Sequence, residues 1–344
     1  MIKCKWVNKM NHDNDPIWVI ADQENCKLLP ITTQLVGQAR LLADILATSV
    51  AVVLLGEGID TQTEKIFAAG ADRIYVGDHP DLAIYHPEVY TDVIVKLTRE
   101  HRPQIMLMGS TSMGRELAPL VAAQLETGLT AHCIDLRINQ KGILEQRIPA
   151  YGGEITIVCP ERRPQMATVA QGVFPSPSPE GGRGSEIVSI QGPFHFSDRI
   201  QTLELVMEEP DGIPLDTAAC VIAGGAGAGD LQGWNQIVEL ATILNAGLGC
   251  TRPAVDEGWA ELDTMIGQSG KMVNPKTYLG IGLSGEQQHM VGVTGANVMI
   301  AINSDKKSPV FTQVDVGIVD DCRDFVPVML EKIREYKQQQ VSCR

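Results

Sequence analysis

The sequence predicts an α/β protein built as two successive parts around mainly parallel sheets. Three observations carry this. Short apolar runs alternate with helical stripes through the first half of the 344-residue chain, the alternation that parallel βαβ units require. A fresh strand–glycine–helix unit opens near residue 219. Beyond it, short apolar runs are each followed by a polar cluster, which is how an open sheet presents ligand contacts along its strand ends.

The elements follow in order. Met1 to Pro16 mixes Lys, Asn, Asp and His and reads as neither a secretory leader nor an Arg-rich transit segment. Ile17–Ile20 is a strand. Leu35 to Ala47 has apolar residues at 35, 36, 39, 41, 42, 45 and 46, a helical stripe. Val50–Leu55 is a buried strand, Thr63–Ala69 a short helix ending at Gly70, and Arg73–Val76 a strand. Tyr90–His101 is a helix closed by Pro103, Ile105–Met108 a strand, and Gly114–Glu126 a helix. Together they predict a parallel sheet covered on both faces.

Pro175 to Gly184 is dense in proline and glycine, so it reads as an extended exposed segment. Glu186–Ile190 is strand-like. Glu208–Pro214 is a boundary, giving an N-terminal α/β domain over 1–207, a hinge over 208–214 and a second domain over 215–344.

The second domain opens with the apolar run Ala219–Ala223, then Gly224-Gly225-Ala226-Gly227-Ala228-Gly229, then a helix over 232–245 with Gly247 as its C-cap. Glycines between strand and helix suit either a phosphate cradle or a tight turn packing helix on sheet. The spacing Gly225-x-Gly227-x-Gly229 departs from the dinucleotide fingerprint and leaves both readings open.

The stretch from Cys250 to Asp315 organises the chain. It carries Thr251-Arg252-Pro253, Gln268-Ser269-Gly270-Lys271, Ser284-Gly285-Glu286-Gln287-Gln288-His289, Asn303-Ser304-Asp305 and Asp315-Val316-Gly317. Its apolar runs, Tyr278–Leu283, Val298–Ile302 and Pro309–Phe311, read as the preceding strands. A cation, a hydroxyl and an imidazole among small residues suit a flat, electron-rich ring better than a metal or a protease triad. A fixed guanidinium beside a flavin would favour its anionic reduced forms.

Composition narrows the classes. With 28 basic and 42 acidic side chains the net charge is −14, which argues against nucleic acid and anionic membranes as partners. The eight cysteines form no C-x-x-C, so no zinc or iron–sulfur signature is present, and the pattern suits a reducing compartment. The longest apolar run, Val50–Leu55, is far short of a membrane span. A cytoplasmic protein without membrane insertion is the expectation.

At this point several motifs become recognisable together. Gly249-Cys-Thr-Arg-Pro-Ala-Val-Asp-Glu-Gly-Trp259, Gly267-Gln-Ser-Gly-Lys271, Tyr278-Leu-Gly-Ile-Gly-Leu-Ser-Gly-Glu-Gln-Gln-His289 and Ala301-Ile-Asn-Ser-Asp305 closely resemble the alpha subunit of electron transfer flavoproteins. Gly109-Ser-Thr-Ser-Met-Gly-Arg-Glu-Leu-Ala-Pro119, Thr127–Ala131, Pro149–Gly153 and Arg163–Thr168 resemble the same family. The resemblance covers about Ile17 to Met329, in order.

The resemblance implies a nucleotide-hydrolase-like parallel-sheet domain followed by a Rossmann-like FAD-binding domain. It implies FAD as cofactor, a beta subunit as heterodimer partner, and electron transfer between a dehydrogenase and a quinone- or ferredoxin-linked acceptor. By motif, Thr251 and Arg252 fall by the flavin ring, Ser269 at flavin N5 with Gln268 and Gly270 beside it, and His289 at the pyrimidine carbonyl side. Ser284, Gly285 and Gln288 fall around the ring and its linker, and Asn303 and Asp315 at the adenine-nucleotide half. The Thr-Arg-Pro form looks most like alpha subunits from anaerobic and bifurcating systems. Departures from the family pattern stand at Ala170-Gln171, Met265, Glu286-Gln287 and Ser304. Two other classes stay open: an NAD-linked oxidoreductase using the glycine run, and a non-redox adenine-nucleotide-binding regulator.

Overall fold

The computed structural model describes residues 16–150, 153–178, 186–196, 202–204, 206, 212–215, 217–293 and 295–342. The N-terminal stretch up to residue 15, residues 179–185 of the proline–glycine segment and residues 208–211 of the expected hinge lie outside them. The chain divides into two compact units, Met1–Leu203 and Glu204–Arg344.

The first unit is built on a seven-stranded sheet, all parallel. Its strands are β1 (Ile17–Ile20), β2 (Val50–Gly56), β3 (Arg73–Asp78), β4 (Ile105–Gly109), β5 (Leu129–Cys133), β6 (Gln165–Val169) and β7 (Glu186–Ser189), in spatial order β7-β3-β2-β1-β4-β6-β5. Its long helices are α1 (Pro30–Leu46), α3 (Pro87–His101) and α4 (Ser112–Gln124), with the short α2 (Thr63–Ala68) between α1 and α3. The central strands are apolar throughout because both faces are covered. Ile17, Val19, Val52 and Leu107 pack with Leu35 and Leu42 of α1. Trp18, Val53, Met106 and Met108 pack on the opposite side with Ile94 and Leu117.

Helices α1 and α3 begin earlier than their apolar stripes, because Pro30 and Pro87 occupy the first turn, where the missing N–H has no intrahelical partner to lose. Thr111 caps α4, its hydroxyl accepting the Gly114 N–H at 3.0 Å. Pro177 packs against Gly37, where an added Cβ would meet its ring at 3.0 Å. A three-stranded antiparallel ribbon, Asp135–Ile138, Leu144–Ala150 and Gly153–Val158, was not expected. Its last strand is exposed at nearly every residue, so it carries no alternation to read.

The second unit has a five-stranded parallel sheet: β8 (Cys220–Gly224), β9 (Gly247–Cys250), β10 (Thr277–Ile281), β11 (Val298–Asn303) and β12 (Val316–Val319), in order β9-β8-β10-β11-β12. Helices α5 (Leu231–Leu244) and α8 (Cys322–Ser342) cover one face through Trp234, Leu240, Val326 and Leu330. The other face buries Val221, Ala223, Tyr278 and Ala301 under Leu215, Ile266 and Val310. Those three come from connecting segments. The short helices α6 (Arg252–Asp256) and α7 (Gln287–Met290) follow β9 and β10.

Two local expectations are corrected. The cap of α5 is Asn245, at φ 53°, because a short polar side chain tolerates the left-handed region. Gly247 instead opens β9, where an added Cβ would stand 2.8 Å from the Ala218 Cβ. Pro309–Phe311 is not a strand but part of a 3-10 turn, Pro309–Thr312. Pro309 has no ladder N–H, and the Val310 N–H is taken by the Ser284 carbonyl at 2.9 Å. The fifth strand begins only at Val316.

Candidate functional site

From β8 the chain passes to β9 on one side and to β10 on the other. The crevice outside the strand carboxyl ends at that reversal is where open α/β sheets take ligands. A cleft of about 380 Å³ lies there. Thr251 and Arg252 line it from the end of β9, Ser284 and Gly285 from the end of β10, and Asn303 from the end of β11. Gln268 and Ser269 come from the segment between α6 and β10, and Gln288 and His289 from α7. Met265, Ile266 and Leu283 add an apolar wall.

Backbone contacts hold these segments together. The Ile266 N–H donates to the Cys250 carbonyl at 2.9 Å, and the Gln268 N–H to the Gln288 carbonyl at 2.7 Å. Gly267 must be glycine on two counts: φ is +143°, and an added Cβ would stand 2.4 Å from the Gln288 oxygen. Asn303 donates its amide to the Leu283 carbonyl at 2.8 Å and the Ser308 hydroxyl at 3.3 Å, while its oxygen accepts the Asp305 N–H at 2.8 Å. Both amide protons are therefore committed, and one acceptor lone pair remains for a ligand.

Arg252 stands at the mouth, its side chain 66% exposed, and pairs with Asp256 one turn on at 2.7 Å. His289 is 6% exposed. Its Nε2 lies 2.6 Å from the Tyr278 hydroxyl, and its Nδ1 is buried without a hydrogen-bond partner. Burial pushes its pKa down to about 4, opposed only in part by the Ile266 backbone. The cleft therefore presents a neutral imidazole at neutral pH.

Gly270 is outside the cleft lining. Its N–H donates to the Gly267 carbonyl at 3.0 Å, and a Cβ would stand 2.2 Å from the Met265 oxygen, so it shapes the turn that holds Ser269. Asp315 does not line the cleft. It precedes β12, and its carboxylate accepts the Met299 N–H at 2.8 Å near the start of β11, the opposite end of the sheet from Asn303. Lys271 faces a separate groove along α5 and pairs with Asp263 at 3.9 Å.

Sequence reading missed a recess of about 270 Å³ that shares Ala226, Gly227, Gly282 and Asn303 with the cleft and extends it to Ser304, Asp321 and Arg323. Asp321 accepts the Arg323 N–H at 2.9 Å and binds its guanidinium at 2.6 Å. That guanidinium, followed by the backbone N–H, holds the carboxyl down at about 2. The glycine run of 224–229 is held by its own backbone. The Gly225 N–H donates to Ile281, Gly227 to Gly282, Ala228 to Gly225 and Gly229 to Ala226, at 2.8–3.1 Å. These four donors are spent inside the protein, and the run packs two strand ends together.

Known proteins place the chain. Residues 17–193 match the family model of the electron transfer flavoprotein domain, and residues 214–294 that of the electron transfer flavoprotein FAD-binding domain. The chain is 38% identical to the electron transfer flavoprotein subunit alpha of Thermoanaerobacterium thermosaccharolyticum, over 95% of this chain and 100% of that one. The chain belongs to the electron transfer flavoproteins, as an alpha subunit. It is also 36% identical to Protein FixB of Clostridium saccharobutylicum, over 94% and 97% of the two chains. It is 32% identical to the acryloyl-CoA reductase electron transfer subunit beta of Anaerotignum propionicum, over 93% and 96%.

As an electron transfer flavoprotein alpha subunit, the chain uses FAD. The cleft fits that group: an apolar wall for a flat ring, hydroxyl and amide donors, a guanidinium at the mouth, and an imidazole in the lining. Among the described residues no helix is long and apolar enough to cross a membrane.

Proposed function

We propose that the 380 Å³ cleft holds the isoalloxazine ring of FAD. Thr251, Arg252, Gln268, Ser269 and His289 surround the ring. Ser284, Gly285, Gln288 and Asn303 line the path of its linker toward the nucleotide half. Bound FAD supplies one- and two-electron redox chemistry. The chain's own residues supply position and charge. Met265, Ile266 and Leu283 exclude water from one side, Arg252 places positive charge at the mouth, and Ser269 offers a hydroxyl able to donate or accept. The observation that carries this reading is the cleft itself, which brings Thr251, Arg252, Gln268, Ser269 and His289 together with an apolar wall at the carboxyl ends of the strands.

In this reading the alpha subunit pairs with a beta subunit in the cytoplasm and passes electrons from a dehydrogenase to an acceptor. An acyl-CoA-linked enzyme is the proposed redox partner, by analogy with the relative named for acryloyl-CoA reductase. The boundary over 208–214 is proposed as the joint between the two domains.

Purification of the chain co-expressed with its beta subunit tests the proposal. A flavin absorption spectrum, with FAD released on heating and bound more weakly in His289→Gln, is expected. A colourless heterodimer would overturn it. Two FAD per heterodimer with bleaching by NADH would mark the bifurcating type, and one FAD with AMP the simple carrier.

A further inference from the structure

Beneath His289 lies a residue that sequence reading treated only as part of an apolar run. Tyr278 sits in β10, paired with Val221 and Met299 on the neighbouring strands, and is fully buried. Its ring packs among Leu215, Ile266, Leu283 and Val310. The hydroxyl reaches up through this apolar layer to His289 Nε2 at 2.6 Å, its one hydrogen bond among the described residues.

Two proton arrangements fit that distance. In one, the phenol donates to Nε2 and the imidazole carries its proton on Nδ1. In the other, Nε2–H donates to the phenolic oxygen, and the buried O–H is left with no acceptor. Burial keeps both groups neutral, raising the phenol's pKa and lowering the imidazole's. Neither proton can be discarded, and a buried donor without an acceptor is unfavourable. Only the first arrangement satisfies Tyr278. It also puts the imidazole proton on the buried Nδ1, consistent with the Ile266 backbone hydrogen bond that favours a protonated ring.

We propose that Tyr278 is a positioning residue that fixes the proton of His289 on Nδ1 and, by donating to Nε2, holds the imidazole in one orientation beside the cleft. Its effect on FAD binding rests on the cleft being the FAD site. The proton placement rests on the Tyr278–His289 geometry alone.

The test uses the full chain with its beta subunit, labelled with ¹⁵N-histidine, and assigns His289 by its loss in His289→Gln. Long-range proton–nitrogen correlations report which ring nitrogen bears the proton. The expected result is a proton on Nδ1 in the parent protein and a loss of that fixed preference in Tyr278→Phe. FAD binding should weaken about fivefold in Tyr278→Phe, the scale of one hydrogen bond. In a His289→Gln background the same substitution should have no further effect. A proton on Nε2 in the parent protein would overturn the proposal, as would an undiminished effect of Tyr278→Phe in the Gln background. If the heterodimer holds no FAD, the flavin assignment fails, while the spectrum of the FAD-free protein still decides the proton's position.

Discussion

Gly227 and Gly282 meet backbone to backbone. The Gly227 N–H donates to the Gly282 carbonyl at 2.8 Å, and a Cβ on Gly227 would stand 2.6 Å from the Gly282 Cα. The contact ties the end of β8 to the end of β10, and both residues line the cleft and its recess. Gly227→Ala should therefore destabilise the second domain by about 2–3 kcal/mol, the cost of overpacking where backbone cannot give way. Urea unfolding of the FAD-free protein checks this. An unchanged midpoint would mean that the glycine run is not a packing device.

The same contact shows what a motif leaves open. Strand–glycine–helix was legible in the sequence, but the choice between phosphate cradle and tight packing depends on where each N–H points, and that is set by a loop more than fifty residues away in sequence. The fold class and the cleft's polar clusters were legible because each cluster follows a buried run. The strand before the last cluster was not legible. Pro309–Phe311 is apolar and reads as the fifth strand, which would put Asp315 just beyond its end. The strand is Val316–Val319, half exposed at the sheet edge, where an apolar signal is weak. The residues at its carboxyl end are Asp320 and Asp321. Arg323 was hidden for the same reason, since its place beside Ser304 depends on that register. Tyr278 was hidden differently: apolar neighbours disguise a polar tip.

Asp315 gives a contrast that follows from its position. Its carboxylate serves the Met299 N–H, at the end of the sheet away from the cleft. Asp315→Ala should cost about 1 kcal/mol of stability, one hydrogen bond to an exposed carboxylate. FAD affinity should stay within twofold. Flavin titration of the variant is the check, and a large loss of affinity would return Asp315 to the site.

His289 makes stability depend on pH. Its folded pKa of about 4 lies below the ordinary 6.5, so between these values the unfolded chain binds a proton that the native state refuses. Stability is full above pH 6.5 and falls with acidification, by about 3 kcal/mol on reaching pH 4. His289→Gln should flatten that part of the profile. Chemical denaturation of the FAD-free protein from pH 7 to 4 measures it, and equal slopes in the two proteins would show that the histidine is not buried.

Arg252 is more exposed than a ring-stacking cation need be, and Asp256 holds it by a bond of 2.7 Å. The two form one unit at the cleft mouth: Asp256 orients the guanidinium and also offsets its charge. Arg252→Ala should lower the one-electron reduction potential of bound FAD, because positive charge near the ring favours its reduced, anionic forms. The shift should be on the order of tens of millivolts, since solvent screens an exposed charge. Asp256→Asn should move the potential upward, because the cation keeps its place without its counter-charge. Potentiometric titration of the three proteins at low and moderate salt separates the effects. Opposite signs that shrink as salt rises support a charge acting from the mouth. Equal potentials would remove Arg252 from the flavin's surroundings.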